Sequence, residues 1–406
     1  MREGGAESPW TDRFRALGRR LTGGLFRSSG RGPWWRPRIS TLIALSVLVL
    51  GLAGRVADLP WVELARVKTF DLYQRLSPRE PVRYSVGIVD IDEKSLTEIG
   101  QWPWPRTVIA DLINRLADAR AAVIGFDIVF AEYDRMSPER VASALRGADE
   151  KTLASLKKLP RNEDVMAAAM RRIPTVVGQV GLFADLPEGR APPVSKSSVK
   201  GLFGGDPRPF LFEYKSYMGN VPELEKAATG HGFFTVWDEA DGVVRRVPLV
   251  ARIGKKIRPA LTVEMLRAAF RGNMAFIKRN AAGVTSIGLQ TRQGNFEIPT
   301  DKNGRIWVHF APPDAYNTPD NSGRLYISAS DIINGRVPVQ RLAGKMFIVG
   351  TSAVGLLDIR ATPIAGRLPG VEVHANILET ILAANTAKGQ RAQEIVQEIK
   401  AVAQKS

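Results

Sequence analysis

The sequence contains no cysteine, which excludes a disulfide framework, a thiolate metal site and a cysteine nucleophile. Its three histidines, His231, His309 and His374, lie too far apart in sequence to form a local zinc motif. Phosphate-loop glycines are missing: Gly344-Lys345 is followed by Met346, and Val339 stands where the first glycine would. A dinucleotide-binding glycine fingerprint is absent too. Gly350-Thr351-Ser352-Ala353-Val354-Gly355 approaches a nucleophile elbow, but Val354 occupies the position that turn gives to glycine. No catalytic residue, cofactor or metal site is therefore expected. Acidic residues are also few, 41 against 57 basic ones, and the net charge of +16 asks for an anionic neighbour.

What remains is a globular composition. The 406 residues are 44% hydrophobic and 24% charged, enough for one large domain with appendages. The basic excess is uneven: residues 1 to 38 hold nine arginines, no lysine and three acids. Directly after them, Ile39 to Gly54 runs for sixteen residues without a charge, and nothing else in the chain approaches it. Arg38 and Arg55 can snorkel at its ends, with Trp34, Trp35 and Trp61 placed as interfacial anchors. The expected map is a basic cytoplasmic tail over 1–37, a transmembrane anchor over 38–60, and a main domain over 61–385 on the far side of a bacterial inner membrane. A cleaved signal peptide is the rival reading, but the charged lead alone exceeds the usual length of about 15–30 residues. A buried core helix is the other.

Beyond the anchor, strand-like and helix-like patterns alternate. VGIVDI (86–91) suits a buried strand, 108–116 has helical spacing, and AVIGFDIVF (122–130) is again strand-like, the signature of a parallel crossover unit. Asn162 reads as the cap of a helix that Pro174 ends before the strand TVVGQVGLF. Residues 185 to 209 read as an exposed loop. GHGFFTVW (230–237) and VVRRVPLVARI (243–253) read as a hairpin turning at Asp241-Gly242. A helix from Pro259 to Phe270, strands at 284–290, 296–299 and 305–310, a short helix capped by Ser330, a strand at 345–350 and a helix over 371–384 complete the domain. Residues 386 to 406 carry apolar residues at helical spacing on a polar background, an amphipathic C-terminal helix that either packs or pairs.

Carboxylates supply the candidate chemistry. Asp90 and Asp92 are two apart and share a face of a strand, and Asp127 lies within the next strand pattern. Open α/β sheets bind ligands beyond the carboxyl ends of their strands, so the three can line a pocket for a cation or amine. The plainer reading is that they cap loops or pair with arginines such as Arg106 and Arg245. Trp102-Pro103-Trp104-Pro105-Arg106 stands alone and reads as a rigid turn before a helix, so no nucleic-acid partner is expected.

Residues 89–132, 230–250 and 344–383 together resemble the second type of CHASE domain, the cyclase/histidine-kinase-associated sensory extracellular domain. The resemblance covers roughly residues 64 to 385. It implies a bacterial extracytoplasmic sensor whose output domain is an adenylate or guanylate cyclase or a kinase, and it supplies no catalytic residues. The fold expected is α/β, a mixed sheet with helices on both faces in an α/β/α sandwich, behind one N-terminal transmembrane helix. Asp90, Asp92, Arg106, Asp127, Arg245, Thr351 and Asp358 are the candidate ligand-binding residues. The partners expected are the lipid bilayer, a small ligand or an envelope protein, and a second copy in a homodimer. After Ala384 no second hydrophobic span follows, unlike the family pattern, so the chain is expected to be a sensor fragment or a shortened single-anchor homologue. An envelope interaction module without a small ligand is the alternative.

Overall fold

The computed structural model describes residues 39–57, 60–80, 86–186, 199–291, 294–312, 324–353, 356 and 358–386. It divides into two compact units, Met1–Arg66 and Val67–Ser406. The first holds helix α1 (Ile39–Ala57) and the opening of helix α2 (Pro60–Leu76). Apolar side chains along α1, among them Ile43, Val47 and Leu50, lie exposed. Among the described residues no helix is long and apolar enough to cross a membrane. The sixteen-residue charge-free run gives about 24 Å of helix, short of a hydrocarbon core of about 30 Å. The tail over 1–37 and nearly all of 386–406 lie outside the described residues.

The second unit is built on a parallel sheet. Its strands are β1 (Val86–Ile91), β2 (Val123–Phe126), β3 (Thr175–Leu182), β4 (Ser216–Met218), β5 (Gly230–Phe233), β6 (Leu325–Ser328) and β7 (Met346–Thr351). Their order is β6-β1-β7-β2-β3-β4, with β5 also paired to β3. Every pairing is parallel except that of β4. The middle strands are short apolar runs because both of their faces are covered. Ile88, Val123, Met346 and Ile348 pack with helix α6 (Leu261–Ala269) and helix α8 (Gly370–Thr386). Val89, Ile124, Phe347 and Val349 pack on the other face with helices α4 (Arg106–Asp118), α5 (Asn162–Met170) and α7 (Ala329–Ile333). Helix α3 (Glu93–Ile99) follows β1 directly. The α/β architecture with helices on both faces is thus present.

Several local expectations change. The strand expected over 122–130 ends at Phe126, so Asp127 lies just past it, although its N–H still donates to the Val349 carbonyl. Arg161, not Asn162, takes the cap position of α5. Asn162 is the first helical residue, and its amide donates to Asp134. Ser328 rather than Ser330 precedes α7. Part of the stretch read as loop, Val199–Phe203, is a strand lying parallel to Met274–Asn280.

The hairpin over 230–253 does not form. Its turn exists, with Gly242 at φ 74° and its N–H on the Glu239 carbonyl. The two arms part company: β5 joins β3, Arg246–Pro248 pairs with Arg305–Trp307, and Val250–Ile253 pairs with Lys256–Pro259. The Trp102–Arg106 segment is a turn packed before α4, with Trp104 buried and its indole N–H donating to the Gly100 carbonyl.

Candidate functional site

Asp90, Gly350 and Asp127 fall side by side at the carboxyl ends of β1, β7 and β2. Asp90 pairs with Gly350, and Asp127 follows Phe126, the partner of Val349. Two strand spacings, about 10 Å, therefore separate the two aspartates. Both lie on the α8 face of the sheet. Gly350 is glycine for a reason, since a Cβ there would stand 2.6 Å from the Val371 side chain. Its bareness lets the first turn of α8 rest on the sheet between the two acids.

Asp90 is buried, and the Ser352 hydroxyl donates to its Oδ2 at 2.5 Å, while Tyr326 offers its hydroxyl from β6. Its Oδ1 is buried without a hydrogen-bond partner. Burial, helped by the charge of Asp92, pushes the Asp90 carboxyl up to about 6. The Asp127 side chain is buried as well, and desolvation with the neighbouring Asp358 raises it well above the usual carboxylate range. His374, on α8, places Nε2 3.5 Å from Asp127 Oδ1, and burial pushes it down to about 4.

Asp92 takes a structural part beside this group. Its Oδ1 accepts from the Ser95 N–H and the Ser328 hydroxyl, both at 2.8 Å, capping α3. Asp358 reaches the start of α8, where its Oδ2 fills the space a Gly370 side chain would need. A carboxylate there is favoured by the helix dipole. Arg360 stands 2.8 Å from it. Thr351 points away from the acids, its hydroxyl donating to the Leu356 carbonyl at 3.4 Å.

Arg106 and Arg245 lie elsewhere and pair with none of the three aspartates. The Arg106 guanidinium stacks over Phe130 at 4.6 Å, and its backbone N–H donates to Asp134. Arg245, fully buried, forms a two-pronged bond with Asp71 of α2 at 2.6 and 2.8 Å and binds Asp241 from the Gly242 turn. It ties α2 to that turn.

Ser352, Tyr326 and His374 were not among the sequence-derived candidates. A faint signal existed for Ser352, which follows a strand end in step with Asp90, and for His374 as a histidine a serine could pair with. As for chemistry, the Ser352 hydroxyl donates to a carboxyl rather than to a histidine, so no activated nucleophile is assembled here. Among the described residues no three His, Asp or Glu side chains gather closely enough to hold a metal ion. Cavities of about 240 and 330 Å³ lie away from the acids, the first at the amino ends of the strands and the second beside the later turns of α8.

The family model described as the CHASE2 domain matches residues 42–403. The chain belongs to the CHASE2 family. CHASE2 domains are extracellular sensory domains found in cyclase and kinase receptors, and they are not catalytic. No curated protein and no solved structure matches this CHASE2 chain.

Proposed function

We propose that this CHASE2 domain is the signal-input part of a bacterial membrane receptor and that its ligand enters the crevice formed by Asp90, Asp127, Ser352 and His374. Family membership supports the sensory role. The observation that carries the location is the buried Asp90 Oδ1, an acceptor with no donor, since buried polar atoms are ordinarily paired. That oxygen is an acceptor to spare, so the crevice suits a ligand that donates a hydrogen bond, such as a primary amine. The output it regulates is a class III adenylate or guanylate cyclase or a kinase. The domain faces the periplasm behind the short apolar run of α1, which a basic segment precedes in the sequence. The domain works as a homodimer, for which Leu72, Tyr73 and Leu76 leave an apolar stretch of α2 exposed.

Binding acts as a signal only if it favours one arrangement of the domain over another. The first turn of α8, seated on Gly350 between the acids, is the element that would register it. The test is isothermal titration of the full chain with a panel of primary amines and amino acids, repeated with Asp90→Asn and Asp127→Asn. The reading expects a ligand whose heat is lost in both variants. A ligand that binds wild type and both variants alike would remove the acids from the site.

One observation favours a second reading. Phe183 and Trp237 are about half exposed, 4.8 Å apart, and extend through Phe212 into an aromatic cluster. Such a patch suits contact with an envelope protein instead of a small molecule.

A further inference from the structure

Three helices end at the amino side of the central sheet: α4 at Asp118, α5 at Met170 and α6 at Ala269. The cavity of about 240 Å³ lies among their ends, and Arg120, Arg172, Arg271 and Asp118 line it. Arg120 and Arg271 have φ of 57° and 50°. The ten other described residues that carry a positive φ in this chain are glycines. For a residue with a Cβ, the left-handed region costs about 1–2 kcal/mol.

Each of these arginines sits where a helix closes. The Ala121 N–H reaches back to the Leu116 carbonyl at 3.0 Å, and the Gly272 N–H to the Arg267 carbonyl at 2.7 Å. Glycine is the usual residue for such a closure. Helix ends of this kind favour positive charge. That accounts for arginine near a helix end, not for arginine in the strained position of two helices facing one cavity. Strained residues persist mainly where function holds them.

The Arg120 guanidinium makes no hydrogen bond or ion pair among the described residues. Arg172 is held in place by Asn114 at 2.7 Å and Asp118 at 2.6 Å. Three guanidinium groups and one carboxylate line the cavity, with the helix carbonyl ends offsetting part of the positive charge. Planar guanidinium forks match the oxygens of phosphate two at a time.

We propose that this cavity binds a phosphate-bearing anion, at the end of the sheet opposite the aspartate crevice and independently of it. The two arginines in the left-handed conformation are its main ligands, and Arg172 is the third.

The experiment titrates pyrophosphate into the full chain by calorimetry, in wild type and in the Arg120→Gly/Arg271→Gly double variant. Glycine relieves the backbone at both positions, so the variant keeps or raises its Tm. The expected result is an affinity lower by about tenfold or more in the double variant. Because the arginine-rich residues 1–38 also attract phosphate, the difference between the two proteins is the readout. Equal affinities, no binding by wild type, or a clearly lowered Tm in the variant would each overturn the proposal. A second arm measures co-sedimentation with phosphatidylcholine vesicles with and without phosphatidic acid. Arginine-dependent co-sedimentation assigns the phosphate to a lipid headgroup, and arginine-independent co-sedimentation beside a lost pyrophosphate heat assigns it to a free molecule.

Discussion

Asp90 and His374 are residues where burial works against charge. Asp90 is raised from an ordinary value of 3.8 to about 6, so the folded state holds a proton that the unfolded chain has released. Its contribution to stability therefore falls as pH rises from about 4 to 6 and stays low above that. His374 is lowered from 6.5 to about 4, so the unfolded chain takes up the proton first. Its contribution is present at neutral pH and is lost as pH falls from about 6.5 to 4. The two act in one window with opposite signs, and single variants separate them. Asp90→Asn keeps the acceptor for Ser352 and removes the charge. It is expected to stabilise the protein above pH 6 by on the order of 2 kcal/mol, with the gain vanishing near pH 4. His374→Gln is expected to flatten the loss of stability on acidification. Denaturant titrations at half-unit pH steps check both. A variant gain at Asp90 that persisted unchanged at pH 4 would contradict the assignment. If the crevice binds ligand, that stabilised variant also loses binding, the usual exchange between stability and function.

At the scale of elements, the close approach of α8 to β7 rests on one missing side chain. Gly350→Ala puts a Cβ 2.6 Å from the Val371 side chain, and overpacking of this kind costs about 1–3 kcal/mol. The account expects a Tm drop with faster amide exchange in the first turn of α8; an unchanged Tm and exchange would show that the helix seat is loose. The elements beside this contact were the legible ones. VGIVDI, KMFIVG and the helix after it are apolar runs whose type local pattern settles. The arms of the expected hairpin were misread because Gly230–Phe233 pairs with β3, more than fifty residues upstream, and Arg246–Pro248 with a strand more than fifty residues downstream. Local alternation carries no record of a distant partner. The candidate site was half legible: the rule placing ligands beyond strand carboxyl ends pointed to Asp90 and Asp127, which the structure sets at strand ends on either side of β7. That Arg106 and Arg245 lie apart from them was not legible, because an arginine that stacks on Phe130 or clamps Asp71 looks the same in sequence as one that lines a pocket.

At the scale of the whole molecule, family membership over 42–403 makes this a sensory domain, and the proposed topology puts it outside the cytoplasm. That placement ties the basic segment before α1 and the folded body after it into one arrangement. The most direct measurement is a pair of reporter fusions after Ser406, one to a phosphatase that folds only when exported and one to a fluorescent protein that matures only in the cytosol. An active phosphatase with a dark fluorescent fusion is the predicted result. A bright fluorescent fusion with an inactive phosphatase would contradict it.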